Sequence, residues 1–191
     1  GRSEGKYIGF GCLDRYDLLC WISYIIERFG DDCEILLHGI SMGGATVLMA
    51  SGLELPNNVK GIISDCAFTS AWEVFVDVLK DMYHIPPYPI INIANSISKS
   101  IAGYGLNECN SAEEVKKAKV PILFIHGDND TFVPCSMSKE IYKNCASPKA
   151  LLIVKDAGHA ESYYKDTINY EKKVKDFIER YLSNKEVIIN D

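Results

Sequence analysis

The chain has 191 residues, 47% of them apolar and 24% charged, with a formal net charge of -6 at pH 7. That length carries one domain with a hydrophobic core, and the acidic balance excludes the broad positive field that binding to nucleic acid or an anionic membrane needs. No apolar run reaches the ~18 residues of a membrane span, and the opening GRSEG lacks the charged and apolar regions of a signal peptide.

The predicted elements alternate between two kinds. Residues 13–29 place Leu18, Trp21, Ile22, Ile25, Ile26 and Phe29 at helical spacing. Residues 34–38 (EILLH) form a short, nearly continuous apolar strand, followed by a compact helix over 44–54. A second strand of the same kind covers 59–65 (VKGIISD), a third 120–127 (VPILFIHG) and a fourth 150–156 (ALLIVKD). Strands apolar on both faces belong in a parallel sheet covered by helices on each side. A short helix is expected over 136–146 and a final one over 161–182, docked by Tyr163, Tyr170, Val174, Phe177, Ile178 and Tyr181.

The region 68–118 is longer than a crossover needs. It opens with a Ser70-capped helix carrying Trp72, Phe75, Val76, Leu79 and Met82, breaks at PPYP (86–89) and continues as IINIANSISKSIAGYG. Within a single domain spanning 1–191, this insertion reads as a small helical cap over a pocket.

Seven cysteines, Cys12, Cys20, Cys33, Cys66, Cys109, Cys135 and Cys145, are odd in number and irregular in spacing, with no CxxC. The pattern argues against a metal site or a disulfide scaffold. It points to reduced thiols, most of them buried, and to a cytoplasmic location.

The strongest chemical signal is Gly39-Ile40-Ser41-Met42-Gly43, a G-x-S-x-G between an apolar strand and a helix. Ser41 would sit on a strained turn that needs small neighbours, with Gly39 and Gly43 avoiding collision. The helix N-terminus would aim the Met42 amide at a developing oxyanion. A serine hydroxyl needs a base. Of the four histidines, His38 and His126 end strands and read as support or packing, and His84 sits beside the PPYP break. His159, in Asp156-Ala157-Gly158-His159 after the last strand, lies where open α/β sheets gather their ligands. An orienting carboxylate would come from Asp128 or Asp130 in HGDNDTFVP (126–134), which spacing alone leaves unranked. The order Ser, Asp, His is that of the α/β-hydrolase fold.

With GISMGG, HGDNDTFVP and AGH in this order, the sequence resembles the α/β-hydrolase superfamily. It is most similar to small bacterial hydrolases of the prolyl-oligopeptidase-like, Bem46-like and thioesterase-like groups. The resemblance implies a three-layer α/β fold with a mostly parallel sheet, and a triad of Ser41, Asp130 and His159 in which Asp128 shapes the loop. It matches GRSEG (1–5) to a glycine-rich segment after the fourth strand of the fold, and DCAFTS (65–70) to a loop lining the acyl side of the pocket. The first strands of the fold, with the loop that supplies the second oxyanion amide, have no counterpart here. Strand 34–38 is then an edge, to be completed by a preceding segment or by a second copy in a homodimer.

The expected activity is hydrolysis of a carboxylic ester or thioester through an acyl-enzyme on Ser41, with no cofactor or metal. Short peptides are the alternative substrate, and a non-catalytic binding domain of the same fold is the alternative of another class. Candidate pocket residues are Phe68, Trp72, Tyr88 and Val133, with Phe75, Tyr83 and Ile90 nearby in sequence.

Overall fold

A computed structural model describes residues 4–182. The first three residues of the GRSEG segment lie outside the described residues.

Helix α1 (Asp14–Phe29) begins with Asp14 and Asp17 in its first turn and ends with Arg28 in its last, each charge opposing the helix dipole. Strand β1 (Ile35–Ile40) leads directly into α2 (Met42–Ala50), and β2 (Val59–Asp65) follows. The crossover to the next strand contains α3 (Ala71–Asp77), a π-turn over Val78–Met82, α4 (Ile90–Ala102), α5 (Ser111–Glu114) and a 3-10 turn over Val115–Lys117. Then come β3 (Ile122–Gly127), α6 (Cys135–Asn144), β4 (Lys149–Val154), α7 (Ser162–Lys165) and α8 (Thr167–Tyr181).

The four strands are parallel and ordered β1-β2-β3-β4. Successive residues serve opposite faces. Ile62, Ile122 and Phe124 pack with Leu48 and Met49 of α2 and Ile141 of α6. Their neighbours Ile63, Leu123 and Ile125 pack with Tyr170 and Phe177 of α8. This gives three layers with the sheet buried between, as the continuous apolar strands predict. Helix α2 is enclosed from Gly44 onward, with only Thr46 partly open, as expected of a helix with no polar face. Among the described residues β1 pairs with β2 alone, so its other edge is open.

Several expectations are corrected. The final helix is two. Asp166 leaves helical geometry between α7 and α8, and its carboxylate accepts from the Asn169 amide to start the second. Helix α1 buries Ile22 but leaves Trp21 64% and Phe29 66% exposed, because its predicted apolar stripe is wider than the surface it covers. Reduced thiols are wrong for one pair. Cys12, just before α1, is disulfide-bonded to Cys109, just before α5, with a Cα separation of 5.4 Å. The bond joins the segment before α1 to the long crossover, and a second tie between the same segments is the Tyr104 hydroxyl, which donates to the Ile8 carbonyl at 2.6 Å. That pairing removes the argument on which a cytoplasmic location rested. No helix among the described residues is long and apolar enough to cross a membrane.

Candidate active site

Three loops at the carboxyl ends of β1, β3 and β4 meet above the sheet. The first carries Ser41, at φ 54° and ψ -116°, between β1 and α2. This left-handed conformation is costly for a residue with a Cβ, and surrounding contacts hold it. The Ser41 amide donates to the Asp65 carbonyl at 2.8 Å, and its carbonyl accepts from Ala45 at 2.9 Å. A Cβ on Gly39 would collide with the Gly43 carbonyl, so Gly39 is sterically required. The expected role of Gly43 is corrected: a Cβ there meets open space. The second restricted position is Gly44, where a Cβ would lie 2.8 Å from the Asp65 carbonyl oxygen and hold α2 away from β2.

The third loop carries His159. Its Nε2 lies 2.8 Å from Ser41 Oγ and its Nδ1 2.8 Å from Asp130 Oδ2. Asp130 is an acceptor, so Nδ1 bears the proton and Nε2 accepts from the serine hydroxyl. Phe132 lies edge-on to the imidazole, with ring centroids 5.0 Å apart.

Asp130 stands on the second loop, and its side chain is fully enclosed. Its Oδ1 accepts from the amides of Phe132 and Val133 at 3.0 and 2.9 Å. Burial pushes this carboxyl up, but hydrogen bonds from His126, His159 and the Val133 amide outweigh it and hold the carboxylate well below its ordinary range. His159 moves the other way. The hydrogen bond to Asp130 raises it most, and contact with the Cys66 thiol adds to that.

Asp128 takes no part in this chain. Its carboxylate accepts from the Asp156 amide at 2.6 Å and pins the third loop to the second. Fully buried His126 supports Asp130. Its Nε2 donates to the Val133 carbonyl at 2.9 Å and approaches Asp130 Oδ2 at 3.2 Å, while its Nδ1 accepts from the Ser138 hydroxyl at 2.6 Å. His38 is exposed on β1, 3.4 Å from the Tyr170 hydroxyl, and His84 lies exposed in a left-handed turn. Beneath the site, burial raises the Asp65 carboxyl, opposed by a hydrogen bond to Tyr170.

This geometry can pass a proton from serine to histidine while a buried carboxylate steadies the resulting imidazolium. A family model described as the prolyl oligopeptidase family matches residues 12–185. The chain belongs to the prolyl oligopeptidase family. It is 31% identical over 179 residues to the uncharacterized protein YqkD of Bacillus subtilis, a match covering 94% of this chain and 59% of YqkD. It is 27% identical over 166 residues to the uncharacterized protein YfhR of Escherichia coli, covering 85% of this chain and 51% of YfhR. The chain thus spans little more than half the length of these relatives. In fold it is similar to an esterase, Pf2001, of Pyrococcus furiosus, with a TM-score of 0.74 and 18% identity over 96% of this chain and 68% of the esterase. It is also similar to an acylaminoacyl peptidase of Pyrococcus horikoshii, with a TM-score of 0.70 and 21% identity over 93% of this chain and 29% of the peptidase.

The candidate pocket residues of this family member fare differently from its triad. Phe68 and Val133 are buried among core side chains. Trp72 packs partly against that core with its ring 6.4 Å from that of Tyr88, which is exposed. None of the four lines the apolar groove of about 540 Å³ between α3 and α4, which is walled by Phe10, Phe75, Leu79, Ile90, Ile91 and Tyr104. Phe132, on the ring of His159, and Cys66, on its other contact, were not singled out from sequence. Phe132 had a signal in its place between Asp130 and Pro134. Cys66 had none beyond the DCAFTS match.

Proposed function

We infer that this chain is the catalytic portion of a serine hydrolase that cleaves a carboxylic ester or thioester. The unbroken hydrogen-bonded chain Ser41–His159–Asp130, with both links at 2.8 Å, carries the reading. Ser41 Oγ attacks the carbonyl carbon as its proton passes to His159 Nε2. Asp130 holds the imidazolium that forms. Met42 opens α2, where the first amides have no partner within the helix, and its N–H would donate to the oxyanion. Collapse of the tetrahedral intermediate expels the alkoxide or thiolate, which takes the proton from His159. Water, deprotonated by His159, then attacks the acyl-enzyme and restores Ser41 with release of the acid.

The second oxyanion donor and the covering of the open β1 edge would come from a preceding segment or from a second copy of the chain. Residues 68–118 would form a cap over the reacting groups. A peptide substrate is the second reading, supported by the family model and the fold likeness to the acylaminoacyl peptidase.

The test is intact mass before and after a fluorophosphonate probe, on this chain, on the whole gene product and on their Ser41→Ala variants. One adduct, lost in Ser41→Ala, supports the reading and opens a comparison of ester, thioester and peptide substrates. Labelling confined to the whole product assigns completion of the oxyanion site to residues outside this chain. No adduct on either sinks the hydrolase reading in favour of a binding domain.

A further inference from the structure

The hydrolytic scheme gives Cys66 no task, yet the structure places its thiol against the catalytic base. Cys66 follows β2 in a left-handed conformation, with φ 44°, and is wholly buried. Its amide donates to the Ile125 carbonyl at 2.9 Å, which fixes the residue beside the end of β3. The Cys66 sulfur, a ring nitrogen of His159 and a carboxylate oxygen of Asp130 all lie within 4.8 Å of one another. Tetrahedral zinc, with bonds of about 2.0–2.3 Å, holds its ligand atoms about 3.3–3.8 Å apart. To share one ion, the Cys66 sulfur would close in by up to about 1 Å, while His159 Nδ1 and Asp130 Oδ2, now 2.8 Å apart, would part slightly.

The donor set selects the ion. A thiolate, an imidazole and a carboxylate suit Zn²⁺, while magnesium and calcium prefer oxygen ligands alone. The surroundings also have the form of a metal site. The other oxygen of Asp130 is held by the Phe132 and Val133 amides, and His126 approaches the shared oxygen from below, so the carboxylate is already oriented. One side is open, since the His159 side chain is 25% exposed, leaving a fourth position for water.

We propose that Cys66, His159 and Asp130 form an inhibitory Zn²⁺ site superimposed on the triad. The ion replaces the proton between His159 Nδ1 and Asp130; that proton moves to Nε2, and the Cys66 thiol proton is released to solvent. Nε2, now protonated, no longer takes the proton of Ser41. No covalent bond of the protein changes, so a chelator restores the free triad. The inhibitory effect rests on the reading of His159 as the base, but the metal site does not.

The test is Co²⁺ titration of the chelator-treated chain with its disulfide intact. A near-ultraviolet thiolate-to-Co²⁺ charge-transfer band should saturate at one equivalent and vanish on adding Zn²⁺. It should persist in Cys20→Ser and Cys135→Ser and be lost in Cys66→Ser and Cys66→Ala, with circular dichroism confirming that each variant is folded. Zn²⁺ should slow fluorophosphonate labelling of Ser41, and chelator should reverse this. Against its own zinc-free rate, Cys66→Ser should need at least about 100-fold more Zn²⁺ for the same effect. No band in the folded wild-type chain, or a band that survives Cys66→Ser, overturns the site. Labelling that saturating Zn²⁺ leaves unchanged overturns the inhibition. Absence of labelling in zinc-free protein counts against the hydrolase reading, and the band then decides the metal site by itself.

Discussion

His126 Nε2 stands 3.2 Å from Asp130 Oδ2, the same oxygen that receives His159 Nδ1 at 2.8 Å. Two imidazoles thus converge on one buried carboxylate, and only one of them reaches the serine. A hydrogen bond to a charged acceptor contributes about 1.5–3 kcal/mol. His126→Phe should therefore destabilise the fold by roughly that amount at pH 7. The sign of its pH dependence follows from Asp130. The folded carboxyl is depressed, so its stabilisation is fully present above the unfolded value of about 3.9 and is lost progressively as pH falls from there through the folded value. Denaturant unfolding followed from pH 7 into acid should show the gap between wild type and variant holding until pH falls below the variant's folded Asp130 value, and narrowing only there. A gap that widens in acid would contradict the arrangement.

Asp130 should also set the pH at which Ser41 becomes reactive. His159 accepts a proton only when neutral, and its folded value is raised by Asp130 and then by Cys66. The ascending limb of the labelling rate should lie on the alkaline side of an ordinary imidazole, at about 6.5. Asp130→Asn should move that limb toward acid and lower the plateau about 10³–10⁴-fold. Asp128→Asn, whose target is the Asp156 amide, should leave the position of the limb unchanged.

The glycines around Ser41 separate by role. Gly39→Ala drives a methyl group into the Gly43 carbonyl and should cost more than about 2 kcal/mol or prevent folding. Gly43→Ala adds its methyl to open space within a helix and should be neutral or stabilising by up to about 1 kcal/mol. Thermal unfolding of the two variants checks both. A destabilised Gly43→Ala would mean that the turn is packed differently.

The Cys12–Cys109 bond closes a span of 97 residues. Loop-closure entropy assigns about 4.7 kcal/mol to a loop of that size. Cys12→Ser should lower stability by up to that amount and should free the long crossover from the chain before α1. Peptide mass mapping without reductant should recover the linked pair. The exposed Cys20 thiol should react in the folded chain, whereas the buried Cys66, Cys135 and Cys145 thiols should become titratable only on unfolding.

The sequence by itself determined the layered parallel fold. Continuous apolar strands separated by helical stripes have few other ways to bury both faces, and the strands at 59–65 and 120–127 appear within two residues of expectation. It also singled out Ser41 and His159, from a nucleophile turn and a loop after the last strand, while spacing left Asp128 and Asp130 unranked until the family resemblance chose Asp130. The limits fell where distant segments meet. Whether Gly43 or Gly44 is crowded depends on the Asp65 carbonyl of the next strand. The apolar character of Phe68 and Val133 is the same in a pocket wall and in a core, and packing put both in the core. Cys12 and Cys109 became partners, and Cys66 came to rest against His159, only once strands and crossovers had been brought together. Local pattern records what a segment requires of its own backbone, whereas the neighbour of a buried side chain is set by how the whole sheet stacks its loops.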